Sequence, residues 1–195
     1  MTGPPATGVL EALAALQRAL EDLDAPSMIL GGIAVIARGV PRLTVDIDAT
    51  VWGESVALEE LFTSLAAQDI RPRIPEAEEF ARRRQVLLLV HTPSGTPLEV
   101  SVGWLPFERE AILRAETVDF GGVPISVARP EDLIVYKAVA WRPRDQEDVE
   151  RLLVLHGDQI DLDRVRELVR QFADALGEHE RFREFEALVR RTLGR

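Results

Sequence analysis

The sequence predicts an α/β core followed by a helical tail, and three observations carry that expectation. Up to about residue 128, short strand-like apolar runs alternate with amphipathic helical stripes. Two segments, 85–104 and 116–128, each fold back on a turn containing glycine, as hairpins do. Beyond Pro130 only helical periodicity remains. With 195 residues the chain can bury one good core, with or without a small helical annex. The division expected is 1–128 for the α/β core and 129–195 for a helical region packed on it as one compact unit.

The elements follow in order. Residues 8–23 place Leu10, Leu13, Leu16 and Leu20 on one helical stripe. Residues 28–30 form a brief apolar strand stopped by Gly31-Gly32, and 33–38 a short helix that ends at Gly39 and Pro41. Residues 43–51 alternate: Leu43, Val45, Ile47, Ala49 and Val51 fall on one face, and Thr44, Asp46, Asp48 and Thr50 on the other. That pattern predicts a strand with a buried face and an acidic face. Helices are expected over 55–67 and 76–83. The hairpin 85–91 and 97–104 follows, with Leu98, Val100 and Val102 inward and Glu99 and Ser101 outward. A helix over 107–115 and a second hairpin around Gly121-Gly122 complete the core. In the tail, Pro130 opens PEDLIVYKAVAW at a helix first turn, followed by acids that suit the helix dipole. Pro143 breaks that helix, and Asp145 then stands where the next N-cap is expected, with Asp148 in the first turn. Helices over 161–176 and 179–193 end the chain.

Composition narrows the function classes. Hydrophobic residues make up 46%, which excludes a disordered chain. No apolar run is long enough to span a bilayer, and MTGPPATG has neither a charged n-region nor an apolar h-region. The expectation is therefore a cytoplasmic protein with no membrane partner. Cysteine is absent, which excludes disulfides, thiolate metal sites and cysteine nucleophiles. A formal net charge of -10 disfavours general binding to nucleic acid. The arginine clusters Arg71/Arg73 and Arg82–Arg84 are either solvated helix faces or one local groove for RNA. Lys137 is the only lysine in the chain.

Chemistry concentrates on Asp46 and Asp48. Residues i and i+2 of a strand project to one side, and two carboxylates that close both ionise only with a cation between them. Oxygen-only ligands favour hard cations, Mg²⁺ or Mn²⁺. Glu99, on the polar face of another strand, offers a third carboxylate if the two strands are neighbours. That set would suit two-metal, in-line phosphoryl or nucleotidyl displacement. The competing reading is the plain solvent face of an edge strand. Upstream, Gly31-Gly32 follows a strand and precedes a helix, where backbone amides can approach a phosphate. A strand, Gly-Gly, helix, and then a strand bearing Asp-x-Asp is far more specific than either part.

LGGIAVIARGVPRLTVDIDATV resembles the signature of the DNA polymerase β-like nucleotidyltransferase superfamily: a hydrophobic residue, Gly-Gly, a spacer, then Asp-x-Asp. Arg42-x-Thr44-x-Asp46 and KAVAWRPRDQEDVERLL are similar to the AbiEii-type members, which include toxins of toxin–antitoxin systems. The matched stretches are 28–52, 96–104 and 124–153. The resemblance implies a nucleotidyltransferase fold, with a mixed twisted sheet flanked by helices. It implies that Gly31, Gly32, Arg42 and Thr44 bind nucleotide. Asp46, Asp48 and Glu99 would bind metal, although the family usually has aspartate where Glu99 stands. Lys137 and Asp145 match the later lysine and aspartate. Lys137 would neutralise phosphate charge, unless it is a snorkelling surface lysine. Asp145 is a helix N-cap or a group that positions Lys137. Arg42 is a bidentate phosphate clamp or an exposed arginine.

The function implied is transfer of an NMP from an NTP to an acceptor hydroxyl of tRNA, protein or a small molecule. A toxin with an antitoxin or other neighbouring partner is one version. The alternative is a non-catalytic nucleotide- or partner-binding module of the same fold. His91, His156 and His179 lack metal-ligand spacing, and Ser94-Gly95 is a turn. Trp52 and Trp104, near strand ends, are expected in the core, and Trp141 either packs in the core or stacks on a base.

Overall fold

A computed structural model describes residues 7–194. The elements run α1 (Thr7–Glu21), β1 (Ser27–Ile29), α2 (Gly31–Ala37), β2 (Ile47–Trp52), α3 (Leu58–Ala67), β3 (Ile70–Pro72), α4 (Ala77–Arg84), β4 (Val86–His91), β5 (Thr96–Gly103), α5 (Pro106–Arg114), β6 (Glu116–Phe120), β7 (Val123–Val127), α6 (Pro130–Ala140), α7 (Pro143–His156), α8 (Leu162–Leu176) and α9 (His179–Leu193). The fold class is α/β, with a mixed sheet flanked by helices. The strand order is β3-β4-β5-β2-β1-β7-β6. β2 pairs parallel with β5, and β1 parallel with β7; the other neighbours are antiparallel.

By their contacts the residues divide into two units, one of Pro41–Ala128 with the chain up to Ala37, the other of Arg38–Val40 with Arg129 onward. In the sheet unit the central strands carry the core: Ile47, Ala49 and Val51 of β2 and Leu98 and Val100 of β5 are buried. α1 packs on α3 and along β3, β5 and β7, with Leu13, Leu16 and Leu20 turned inward as their spacing predicts. In the helical unit α6 packs on α7, α8 and α9, and α7 and α8 both pack on α9. Leu133, Ile134, Leu152, Leu153, Phe185 and Val189 fill its interior. The imidazole Nε2 of His156 lies 2.8 Å from the Arg38 carbonyl, which ties the Arg38–Val40 segment to α7.

Three expectations need correction. The strand read over 43–51 begins only at Ile47; Leu43 and Val45, expected to be buried, are 87% and 72% exposed. Alternation extended beyond the stretch that finds ladder partners: β1 offers only Ser27–Ile29 as partners, against Ala49–Val51. Asp46 therefore sits in a bend before the strand, not on its face. β3 had no sequence signal of its own, being a three-residue edge strand that ends in proline. Trp104 lies past the end of β5 and is exposed rather than in the core.

Candidate functional site

The Gly31-Gly32 step is shaped by what presses against it. Gly31 has φ +56°, and a Cβ there would overlap the Asp48 carboxylate and stand 2.8 Å from the Asp48 Cβ. A Cβ on Gly32 would overlap the Thr44 hydroxyl, stand 2.7 Å from the Thr44 Cβ and 3.2 Å from Arg42 Nη2. Only glycine gives both the left-handed backbone and the space. The Leu30 amide donates to the Asp48 carbonyl at 2.8 Å, which pins the turn to the start of β2. Thr44 Oγ1 donates to Asp46 Oδ1 at 2.6 Å, so the hydroxyl orients the first acid of the pair. Gly31, Gly32, Arg42, Thr44, Asp46 and Asp48 thus meet at one end of β2.

Glu99 is the register partner of Asp48 in the parallel β2–β5 pair. Neighbours directly across a ladder share a face, so the two carboxylates lie on the same side of the sheet. Leu88 is the partner of Glu99 on β4, and the Arg73 amide donates to the Leu88 carbonyl at 3.0 Å. Arg73, Leu88, Glu99 and Asp48 therefore form one row across four neighbouring chain segments. Along that row Arg73 Nη2 reaches Glu99 Oε1 at 2.6 Å, a charge-assisted bond between two partly exposed side chains. Arg73 is the residue that sequence reasoning missed. Its only signal was membership of an arginine cluster, and row position is invisible without the register. Arg71 donates to the Ala66 and Ile70 carbonyls, while Arg82 pairs with Glu59 and Glu78 on exposed helix surface.

The helical unit holds a different cluster. Lys137 Nζ lies 3.0 Å from Asp145 Oδ1 and 3.1 Å from Asp148 Oδ2, with the lysine side chain 13% exposed and that of Asp148 2%. One ammonium is thus shared by two carboxylates. Asp145 is not the N-cap: Pro143 is the first helical residue of α7, and Asp145 in the first turn accepts from the Arg142 amide at 3.1 Å. Asp148, expected as a first-turn acid, is buried as the second partner of Lys137. Asp132, likewise read as a first-turn acid of α6, is fully buried and takes Arg164 of α8 at 2.9 Å. Trp141 makes an edge contact with Phe185 and donates from Nε1 to Glu184 at 2.6 Å.

The histidines serve structure. His91, buried at the β4–β5 turn, lies 2.8 Å from Ser94 Oγ; Ser94 donates to Thr96 Oγ1 at 2.9 Å, and Thr96 to the Gly8 carbonyl at 3.1 Å. Burial pushes the His91 imidazole below its ordinary value, and Arg18 adds to this against the opposing pull of Glu11 and Asp69. A separate cleft of about 470 Å³ is lined by Trp52, Trp104, Pro106, Arg109 and Leu113. It lies at the opposite end of β2, roughly 13 Å along the strand from Asp48 at about 3.3 Å per residue.

Asp46 and Asp48 are hard oxygen donors beside a turn that admits no side chain, and that donor set fits Mg²⁺, which takes one or two carboxylates together with phosphate oxygens. Glu99, in the same row as Asp48, is engaged by Arg73. Among the described residues no three acidic or histidine side chains cluster closely enough to hold a metal ion.

A family model described as a nucleotidyltransferase of unknown function (DUF6036) matches residues 7–192. No curated protein matches the chain. Among solved structures, the antibiotic-resistance factor ANT(2'')-Ia in solution aligns over 91% of this chain and 98% of its own, with TM-score 0.61 and 20% identity. The crystal structure of ANT(2'')-Ia in complex with adenylyl-2''-tobramycin aligns over 88% and 99%, with TM-score 0.59 and 21% identity. An antigenic nucleotidyltransferase-like protein from Paracoccidioides brasiliensis aligns over 93% and 95%, with TM-score 0.55 and 16% identity. At these identities the likeness is one of fold, and the fold is that of nucleotidyltransferases.

Proposed function

The chain belongs to the DUF6036 family of nucleotidyltransferases, and from that premise we propose that it transfers an NMP from a Mg²⁺-bound NTP to an acceptor hydroxyl, releasing pyrophosphate. The observation that carries this reading is the convergence of Gly31-Gly32 on Asp48 and Thr44, with Thr44 holding Asp46. The absence of side chains at Gly31 and Gly32 lets Asp48, Thr44 and Arg42 close in on the start of α2, where backbone amides would meet a phosphate. Arg42, beside Gly32, adds a guanidinium suited to phosphate oxygens. Asp46 and Asp48 would hold the cation, whose charge favours attack on the α-phosphorus and departure of pyrophosphate. In the reaction the acceptor hydroxyl gives its proton to solvent, its oxygen bonds to the α-phosphorus, and the bond from that phosphorus to the bridging oxygen of pyrophosphate breaks as pyrophosphate leaves.

The net charge of -10 disfavours a polyanionic acceptor and favours a small or cationic molecule or a protein side chain. A fold relative is seen with an adenylylated aminoglycoside, which supports the small-molecule class. The tail sequence from Lys137 through Asp145 to Asp148 supports placement near the AbiEii-type members. Within the helical unit, Lys137 already has two carboxylate partners. Its first task on this reading is to hold α6 to α7.

The test is incubation with Mg²⁺ and α-labelled NTPs in the presence of total tRNA, cell protein or a panel of polyhydroxylated amines, beside Asp46→Asn. Label transferred to one acceptor class by the wild-type chain and reduced at least about 100-fold in the variant is the expected result. Mg²⁺–NTP binding with no transfer to any class would make the chain a binding module. Absence of binding as well would overturn the nucleotide reading.

A further inference from the structure

We propose that Arg73 closes a second cation subsite, so that the free protein takes one divalent cation at this end of the sheet, not two. This rests on the reading of Asp46 and Asp48 as cation ligands. Asp48 and Glu99 share one face of the sheet with Asp46 in the bend beside them, and like charges gathered there repel unless a cation or a positively charged side chain sits among them. Asp46 and Asp48 flank the glycine turn, whereas Glu99 stands one strand further along the row from Asp48. A second ion would draw on Glu99. Arg73 occupies it instead, at 2.6 Å.

The arginine is not a wandering surface side chain that happens to meet an acid. Its backbone amide is bonded to Leu88 in continuation of the β3–β4 ladder, which runs Ile70↔His91, Arg71↔Val90 and Pro72↔Leu89. The next step of that register puts Arg73 opposite Leu88, in the row of Glu99 and Asp48. Strands lie roughly 4.8 Å apart, so the Arg73 and Glu99 side chains together must bridge two spacings, about 10 Å. A long arginine and a glutamate extended toward each other do so, and the planar guanidinium fork suits a carboxylate. The guanidinium then both engages Glu99 and repels a second cation there. Glutamate in place of the usual aspartate fits this arrangement, because the extra methylene helps the carboxylate reach Arg73.

The partly exposed pair is individually weak, so the subsite is closed by competition and can be opened by substitution. The experiment counts Mn²⁺ bound to the intact chain by electron paramagnetic resonance titration, with no nucleotide present. Wild type is expected to bind one ion, Arg73→Lys one, and Arg73→Ala two, the second site tightening at least about tenfold. Asp46→Asn is expected to lose the first ion. Two ions on wild type, or one on Arg73→Ala with folding intact by circular dichroism, would overturn the proposal while leaving the cation reading in place. No ion on wild type would overturn the cation reading itself, and the proposal with it. Arg73→Gln, which keeps the length and loses the charge, must behave as Arg73→Ala; if it behaves as wild type, charge is not the cause.

Discussion

The helical unit and the acidic end of the sheet unit use the same residue types to opposite ends. In the helices, Lys137 lies between Asp145 and Asp148, and Arg164 meets Asp132, all away from water or nearly so. Each buried charge there has an opposite charge supplied by another helix or by a neighbouring turn. At the sheet end, Asp46 has a hydroxyl partner, and Glu99 and Arg73 remain substantially exposed. Buried pairs are costly to break because the survivor is left charged in a poor solvent. Exposed ones are cheap to break, which is what the proposed site, exchanging ligands, would require. The difference separates charges buried within the fold from charges left in reach of solvent.

The sharpest way to break this comparison is Lys137→Met. It strands two carboxylates at low exposure, and a loss of about 3–5 kcal/mol in urea unfolding is expected. By the same measurement Asp46→Asn, which keeps an oxygen for Thr44, should change stability by no more than about 0.5 kcal/mol. Equal losses in the two variants would erase the distinction. Gly31→Ala comes next. A left-handed alanine costs about 1–2 kcal/mol, and its Cβ must also displace Asp48. Stability should fall by at least that much and Mn²⁺ binding should weaken together with it; retained binding would mean that Asp48 is not a ligand.

The smallest effect sharpens the comparison from within the sheet unit, where burial disfavours the charged form of His91. The His91 imidazole is held below its ordinary value of 6.5 chiefly by burial. Its contribution is whole above pH 6.5. As pH falls below that, the unfolded chain binds a proton that the folded chain resists, and stability declines. The urea midpoint should drop between pH 7.5 and 5.5, and His91→Gln should flatten that slope. An unchanged slope would remove His91 from the pH response.

Much of this molecule was legible in the chain. Leu13, Leu16 and Leu20 repeat at helical spacing and are buried on α1. The hairpin read over 85–91 and 97–104 forms as Val86–His91 and Thr96–Gly103, with Leu98 and Val100 buried and Glu99 outward as expected, while Val102 is only half-buried. Gly31-Gly32 and Asp-x-Asp, singled out as candidates, do meet at the start of β2, because local backbone demands and side-chain spacing are written in consecutive residues. The resemblance carried by those residues reached the nucleotidyltransferase superfamily, to which the matched family and fold belong.

What periodicity could not supply was where a pattern stops having partners. Leu43 and Val45 continue the alternation of β2 but meet no neighbouring strand, so they face water and Asp46 falls in a bend. Nor could sequence show that Arg73 stands in the row of Glu99 and Asp48, or that Asp148 and Asp132 are buried partners of Lys137 and Arg164. The sequence by itself determined most of the elements, the glycine pair and the Asp-x-Asp spacing, because each of these is written in residues a few positions apart. Only the tertiary structure decided which charges are neutralised and by whom. Pairing energies depend on burial and on distances between residues far apart in the chain, and those exist only once strand register and helix packing are set.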